Sequence, residues 1–328
     1  MMTPGRLLTI DSARFIGISL IILAHVLGPG SLLFQIRSFD VPLMVFISGL
    51  TGSGKDIPDY WKYLSHRFLR LMVPVWLFYA LYFVILFIGA RVGWGIEFPS
   101  WVEIGRTFLC LDGYGWIIRV FVLIAVVAPM LIKLEAKVKN PLAFLAIIAG
   151  LIAIQEPLSN AFNGTGEVLR KDVWEGCVLS LIGYIPAYLM GLRMRDAKVR
   201  EQLLYLAIFS LATIIIFVIP AIPFDLEYFK RPPRFPFIVY GIAVSCLIWL
   251  CQPVLKELSK IRPCVFVGQN TIWIYLWHIL ILLFVFRIQV PWWAQYLIVL
   301  GGAITLFLPQ FFLCKQHRLS GLSKYLVG

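Results

Sequence analysis

The sequence predicts an all-α membrane protein, a polytopic bundle of about ten transmembrane helices. Of its 328 residues, 60% are hydrophobic and only 14% are charged, and the mean hydropathy is +0.88. Soluble globular chains contain roughly 45–50% apolar and about 25% charged residues. The core of a soluble domain cannot bury this excess of apolar residues, because a larger domain still has a surface that water must hydrate. Ten spans of about 20 residues use most of the chain, so we expect one membrane domain over residues 1–328.

Apolar windows bounded by Gly, Pro and charged residues locate these helices. Segment 39–53 is short for a span, so we expect it to tilt, to thin the bilayer locally or to bury its ends in protein. The N-terminus resembles a signal peptide, but Asp11 and Arg14 interrupt its apolar run and no small-x-small cleavage site follows. We therefore expect an uncleaved first helix. The predicted helices are 10–28, 39–53, 71–90, 116–134, 141–157, 176–192, 203–221, 236–255, 269–287 and 293–314.

The distribution of basic residues predicts the orientation of the chain, since Lys and Arg concentrate on the cytoplasmic side of membrane proteins. With a cytoplasmic N-terminus, the cytoplasmic segments hold 18 of the 29 Lys and Arg residues and the opposite side holds 10. Arg14, inside the first helix, is the remaining one. Both termini are then predicted to be cytoplasmic. The net charge of +12 is dispersed over short loops, which indicates topology and argues against a nucleic-acid partner.

The first predicted helix carries three ionisable residues, Asp11, Arg14 and His25. Such groups are costly at membrane depth and usually face the interior of a bundle. Arg14 and His25 lie on one helical face, about 16 Å apart along the axis, and Asp11 is close enough to pair with Arg14. We interpret this polar stripe as functional, because a neutral imidazole is the usual general base for a hydroxyl. The alternative is a pair of interfacial anchors followed by a hydrogen-bonded core histidine.

Two arginines lie at the predicted cytoplasmic mouth of the third helix. Arg67 and Arg70 are three residues apart, so both guanidinium groups share one face and can clamp phosphates. Anchoring by the positive-inside rule also explains basic residues at this position.

The segment from Gly49 to Lys55 matches the spacing of a phosphate-binding G-x-x-x-x-G-K loop. Asp56 replaces the Ser or Thr that such loops need, and the segment follows a membrane helix instead of a strand. These departures argue against a nucleotide triphosphatase. Two alternatives remain: the segment is a flexible glycine hinge, or it is a turn whose amides help to hold cofactor phosphates.

The ninth predicted helix also has a polar face, with Thr271, Tyr275 and His278 spaced four and three residues apart. Hydrogen bonding between helices and the lining of a pocket explain this face equally well. The six cysteines contain no CxxC spacing, and the four histidines are scattered. We therefore expect neither a metal site nor a disulfide framework.

These motifs together resemble the acyltransferase-3 family of integral membrane acyltransferases. Leu50 stands where the family has an aromatic residue after Ser-Gly, Thr271 replaces a serine, and Trp277 precedes the late histidine. Four segments carry the resemblance, in this order: Ile10-Asp11-Ser12-Ala13-Arg14 with His25, Phe46-Ile47-Ser48-Gly49-Leu50, Arg67-Phe68-Leu69-Arg70 followed by Pro74, and Gly268 to His278.

The resemblance implies a ten-helix bundle that takes an acyl group, commonly acetyl, from cytoplasmic acyl-CoA. The acceptor would be a hydroxyl of a cell-surface glycan or a lipid-linked sugar across the membrane. His25 would be the general base or acyl relay, oriented by the stripe with Asp11 and Arg14. Arg67 and Arg70 would hold phosphates of coenzyme A, and Lys55 is a further candidate for them.

The transition state of such a transfer needs stabilisation of the developing oxyanion in a dry cavity. Ser48, Asn270 and Tyr275 are candidates for this role, and His278 is a further candidate for the pocket. The chain ends soon after the last predicted span, so we expect no C-terminal SGNH-type hydrolase domain. It would finish the transfer itself or pass the acyl group to a separate glycan-assembly partner.

Two other functions compete with this interpretation. A secondary transporter or exporter of glycans would line its substrate path with the same polar stripe, although the inverted repeats of many transporters are not evident. A scaffold for a polysaccharide synthase would retain the pocket without activity. The resemblance favours the enzyme, surrounded by membrane lipid in a bacterial plasma membrane.

Overall fold

A computed structural model describes residues 4–52, 57–95, 97–161, 166–218, 224–317 and 323–326. In these ranges the chain is helical, and the only β-type contact is an isolated bridge between Lys230 and Pro233. The α-helices are α1 Pro4–Val26, α2 Leu32–Ile36, α3 Asp40–Gly52, α4 Tyr60–Arg91, α5 Trp101–Phe108, α6 Trp116–Lys137, α7 Pro141–Ala153, α8 Gln155–Asn160, α9 Ser180–Asp196, α10 Val199–Val218, α11 Phe235–Leu250, α12 Gln252–Lys260, α13 Arg262–Gln269, α14 Thr271–Val285, α15 Trp292–His317 and α16 Ser323–Leu326. A π-helix, Leu169–Leu179, runs directly into α9.

Eight helical stretches of the described chain are long and apolar enough to cross a membrane. Two bent pairs pass the same test together: α11 with α12, bent by 67°, and α13 with α14, bent by 91°. Counting each bent pair as one span gives ten. The predicted all-α fold with about ten membrane helices is therefore confirmed.

The second span is longer than segment 39–53. α2, a 3-10 turn at Arg37–Phe39 and α3 follow one another and form a continuous stretch from Leu32 to Gly52. Ser31 caps this stretch by accepting a hydrogen bond from the Phe34 amide over 3.2 Å. Arg37 was expected outside the helix, on the outer side of the membrane, but it pairs with Asp40 inside the protein. This span therefore needs no local thinning of the bilayer.

One short helix, α5, was not predicted. Ser100 and Glu103 form a capping box at its first turn, in which the Ser100 amide donates to the Glu103 carboxylate over 2.7 Å. At its other end, Arg106 and Asp112 form an ion pair.

The chain divides into two compact units. The first comprises residues 1–60 and 123–268, and the second comprises residues 61–122 and 269–328. In the first unit α3 packs against α1, α9 and α11. Its Val41, Leu43, Val45 and Phe46 side chains are fully buried, so α3 lies inside this unit.

Two glycines allow α3 and α9 to touch along their backbones. A Cβ atom on Gly49 would overlap the Tyr188 carbonyl, and a Cβ atom on Gly191 would overlap the Phe46 carbonyl. Helices in a membrane associate through this kind of close packing, because lipid supplies no hydrophobic driving force between them. Gly49, the glycine of the Ser-Gly motif, is therefore required by packing.

Aromatic side chains join the helices of the second unit. The Trp277 ring on α14 lies edge-on to Phe78 of α4, with centroids 6.0 Å apart. Its Nε1 atom donates to the Gln310 Oε1 atom of α15 over 3.0 Å. Tyr79 also contacts Phe108, with centroids 6.1 Å apart.

Candidate active site

Asp11 and Arg14 form the ion pair predicted from their spacing. The Arg14 Nη1 atom donates to the Asp11 Oδ1 atom over 2.9 Å, and the Asp11 side chain is only 10% exposed. The prediction that these residues pair is confirmed. Pairing reduces the free-energy cost of a carboxylate and a guanidinium in an apolar environment.

The backbone of Asp11 lies against another motif residue of the first unit. A Cβ atom on Gly268 would overlap the Asp11 carbonyl, so α1 and α13 meet backbone to backbone at this point. Gly268 opens the late polar motif, and only glycine fits this contact. The first and last motifs of the chain therefore touch directly.

His25 is the penultimate residue of α1 and is half-buried. An acid–base role requires contact with substrate, and this role of His25 stays a prediction. Three cations, Lys230, Arg37 and Arg231, act on it electrostatically. Arg37 lies in the second span, and Lys230 and Arg231 lie in the loop before α11, so the polar stripe alone did not include them.

A buried ion-pair cluster, formed by Arg37, Asp40, Glu227 and Lys230, accounts for two of these cations. The Arg37 guanidinium donates to Asp40 over 2.8 Å and to Glu227 over 3.3 Å. The Lys230 ammonium lies 3.3 Å from Glu227 and 3.8 Å from Asp40. Arg37 and Asp40 side chains are each 1% exposed. Sequence analysis missed this cluster, and the i, i+3 spacing of Arg37 and Asp40 was the available signal.

The loop that carries Glu227 and Lys230 is fixed to the start of the second span. The Gln35 Oε1 atom accepts hydrogen bonds from the Leu226 and Glu227 amides over 2.8 and 3.4 Å. The Tyr240 hydroxyl donates to the Ile36 carbonyl over 2.6 Å. These bonds hold the charged loop in one position near the end of α1.

Arg67 and Arg70 lie in the first three turns of α4, in the second unit. Arg67 is half-buried, with its guanidinium 5.8 Å from the centre of the Tyr63 ring, and Arg70 is exposed. Their positive charges act on each other. Neither arginine forms an ion pair with a residue that the structure describes, so both are available to an anion. Lys55 lies outside the described residues.

The polar face of α14 is largely engaged in contacts between elements of the second unit. The Tyr275 hydroxyl donates to the Tyr114 carbonyl, and the Nδ1 atom of the fully buried His278 contacts the Tyr275 carbonyl. Asn270 is 4% exposed at the bend before α14. The interhelical hydrogen bond of Tyr275 is thus present, and the pocket role of these residues stays a prediction.

The predicted site residues divide between the two units. In the first, Ser48 is half-buried on α3, and its carbonyl accepts a hydrogen bond from the Thr51 hydroxyl over 2.9 Å. The described part of the chain contains no group of three His, Cys, Asp or Glu side chains able to hold a metal ion. The first unit contains Asp11, Arg14, His25 and Ser48, and the second contains Arg67, Arg70, Asn270, Tyr275 and His278.

Comparison with protein families identifies the chain. Residues 7–311 match the model of an acyltransferase domain, Acyl_transf_3. The chain belongs to the acyltransferase-3 family. Because the match spans nearly every membrane helix, the protein is an integral membrane acyltransferase. The same comparison made with curated proteins and with solved structures returned no match.

Membership of the acyltransferase-3 family confirms the resemblance predicted from the four motifs. Two of the motif glycines, Gly49 and Gly268, have a structural explanation in close backbone contacts. Among the charged motif residues, Asp11 and Arg14 pair with each other, whereas Arg67 and Arg70 form no ion pair with a described residue.

Proposed function

We propose that this acyltransferase transfers a short acyl group, acetyl in the first instance, from cytoplasmic acyl-CoA to a sugar hydroxyl. The acceptor is a cell-surface glycan or a lipid-linked sugar presented across a bacterial plasma membrane. The observation that carries the proposal is the half-buried position of His25 at the end of α1, on the helix that bears the Asp11–Arg14 pair.

His25 serves as the general base in this proposal. A sugar hydroxyl is too weak an acid to attack a thioester unaided, so a base must take its proton in the transition state. The imidazole accepts that proton, the hydroxyl oxygen bonds to the acyl carbon, and the carbon–sulfur bond breaks. The coenzyme A thiolate leaves and takes up the proton, so no other reactant is needed.

An acyl relay uses the same residue. The imidazole nitrogen attacks the thioester carbon, the carbon–sulfur bond breaks and the thiolate leaves. The acceptor oxygen then bonds to the acyl carbon, the carbon–nitrogen bond breaks, and the hydroxyl proton goes to the thiolate. This route suits a transfer in which donor and acceptor reach the protein from opposite sides. A separate glycan-assembly protein would then be an alternative recipient of the acyl group.

Arg67 and Arg70 provide the donor site in the proposal. Coenzyme A carries several phosphates, and guanidinium groups bind phosphate oxygens through paired, charge-assisted hydrogen bonds. Two adjacent guanidinium groups that repel each other gain from an anion placed between them. This assignment agrees with the cytoplasmic position that the distribution of basic residues predicts for the start of α4.

The test is transfer of label from acetyl-CoA by purified protein in lipid bilayers, with an extract of surface glycans as acceptor. We expect His25→Ala to lower the rate at least 100-fold, the lower end for loss of general acid–base catalysis. His66→Ala is the matched control, because His66 is exposed on α4, and it should leave the rate unchanged. Equal rates for the two variants would refute the role of His25, and glycan movement without labelling would indicate a transporter.

A further inference from the structure

A groove of about 690 Å³ opens on the first unit, and its lining includes none of the predicted site residues. One wall is formed by Ile57 and Tyr60, and the other by the last turns of α6. The Tyr60 hydroxyl donates to the Val126 carbonyl over 3.1 Å and so joins the two walls. Most of the lining residues are apolar. Two of them, Val126 and Met130 of α6, are 39% and 64% exposed and so are open to a ligand.

Two lysines line one end of this groove. Lys133 and Lys137 are one helical turn apart on α6, and both are exposed. Neither is paired with an acidic residue in the described parts of the chain. The nearest acidic residue in sequence, Glu135, is already engaged by Arg193 over 3.1 Å. The groove therefore combines an apolar wall with two lysines that form no ion pair with the described residues.

The position of the lysines along α6 fits a membrane surface. Thirteen uncharged residues, 120–132, precede Lys133. A helix that passes from an uncharged stretch to lysines crosses from hydrocarbon to the headgroup region, where ammonium groups meet lipid phosphates. The apolar part of the groove then faces acyl chains and the lysine end faces headgroups.

We propose that this groove is a binding site for one anionic phospholipid. The lipid phosphate lies between Lys133 and Lys137, and one acyl chain lies along Val126 and Met130. The lining favours a lipid over a free phosphate or a nucleotide, because a hydrated anion gains nothing from the apolar wall. The lining of the groove includes neither Arg67 nor Arg70, and the proposal does not depend on the proposed acyl transfer.

Native mass spectrometry of the purified protein in detergent tests this proposal, with phosphatidylglycerol and phosphatidylcholine as probes. We expect wild-type protein to retain one phosphatidylglycerol in preference to phosphatidylcholine. The double variant K133Q/K137Q should bind that lipid about 30-fold more weakly, which corresponds to about 1 kcal/mol for each lysine. K133R/K137R should restore binding, since it keeps both charges.

The matched control is K256Q/K260Q, which removes two lysines at the same spacing from α12. It should change phosphatidylglycerol binding less than twofold. Equal losses in both double variants would overturn the proposal, because the lysines would then act only through net charge. A K133Q/K137Q variant that keeps phosphatidylglycerol but loses acetyl-CoA would also overturn it and would assign the groove to the donor.

Discussion

The Arg37 guanidinium donates to the Asp40 carboxylate over 2.8 Å, and each of these side chains is 1% exposed. Asp40 also accepts from the Val41 amide over 2.7 Å, so its two oxygens are both engaged. A buried pair of this kind is tolerated only because each charge has its partner. The pair lies where the 3-10 turn meets α3. Glu227 contacts Arg37 there, and Lys230 contacts Glu227, so the loop that carries them is attached at this point.

Removing one member of this pair should destabilise the protein strongly. Asp40→Asn leaves the Arg37 and Lys230 charges buried without that carboxylate, and we expect a loss of about 3–5 kcal/mol in unfolding free energy. The measurement is thermal unfolding in detergent. The control is Lys260→Gln, which breaks an exposed pair with Glu257 and should cost less than about 0.5 kcal/mol. Similar losses in both variants would show that the Arg37–Asp40 pair is not a stabilising contact.

Asp11 and Arg14 should act as one unit in acyl transfer. Asp11→Asn and Arg14→Gln should each lower the rate of labelled acetyl transfer about tenfold or more, because either change breaks the 2.9 Å ion pair on the helix that carries His25. The double variant should be no slower than the slower single variant, since groups that act together are not additive. Multiplicative losses in the double variant would instead indicate two independent roles.

Arg67 and Arg70 should govern affinity for the acyl donor. Loss of a hydrogen bond to a charged group costs about 1.5–3 kcal/mol, so Arg67→Gln or Arg70→Gln should raise the KM for acetyl-CoA about 10- to 100-fold. The control is Arg91→Gln at the opposite end of α4, where Arg91 lies 5.1 Å from the Phe87 ring centre. If neither Arg67→Gln nor Arg70→Gln changed the KM for acetyl-CoA, the acyl donor would not bind at this end of α4.

Gly268 should tolerate no side chain. Gly268→Ala places a methyl group against the Asp11 carbonyl, and overpacking of this kind typically costs about 1–3 kcal/mol. The control is Gly150→Ala on α7, where a Cβ atom meets no neighbour within 4 Å. It should be neutral or stabilising by up to about 1 kcal/mol, because alanine is the better helix former. The measurement is the unfolding temperature of each variant. Equal unfolding temperatures for Gly268→Ala and Gly150→Ala would contradict the close contact at Gly268.

Hydropathy predicted the number of spans and most of their ends, because each span must cover its own length of hydrocarbon. It did not predict where helices bend. The segment predicted at 236–255 changes direction at Cys251, and the one predicted at 269–287 follows a bend of 91° at Asn270. α12 and α13 are more polar than the apolar helices α11 and α14 that they join, but a change in hydropathy carries no information on the direction of the chain.

Spacing along one helix predicted the Asp11–Arg14 pair, because residues three apart lie on one face. No spacing predicts that Arg37 meets Glu227, which is 190 residues further along the chain. Such contacts depend on how helices pack, and packing is not encoded in a local pattern. Arg37 was for this reason assigned to the outer side, outside the predicted helix 39–53 that contains Asp40, and both residues were left out of the candidate site.

The length of α4 has a consequence for how a water-soluble donor reaches the membrane. Its 32 residues correspond to about 48 Å, whereas the hydrocarbon layer is about 30 Å thick. Residues 71–90 alone match that thickness, so residues 60–70 extend about 16 Å beyond it, with Arg70 at its edge and Arg67 about one turn further out. In the proposed function, a multiply charged donor is then bound at the membrane surface, and only its neutral thioester arm has to enter the bilayer.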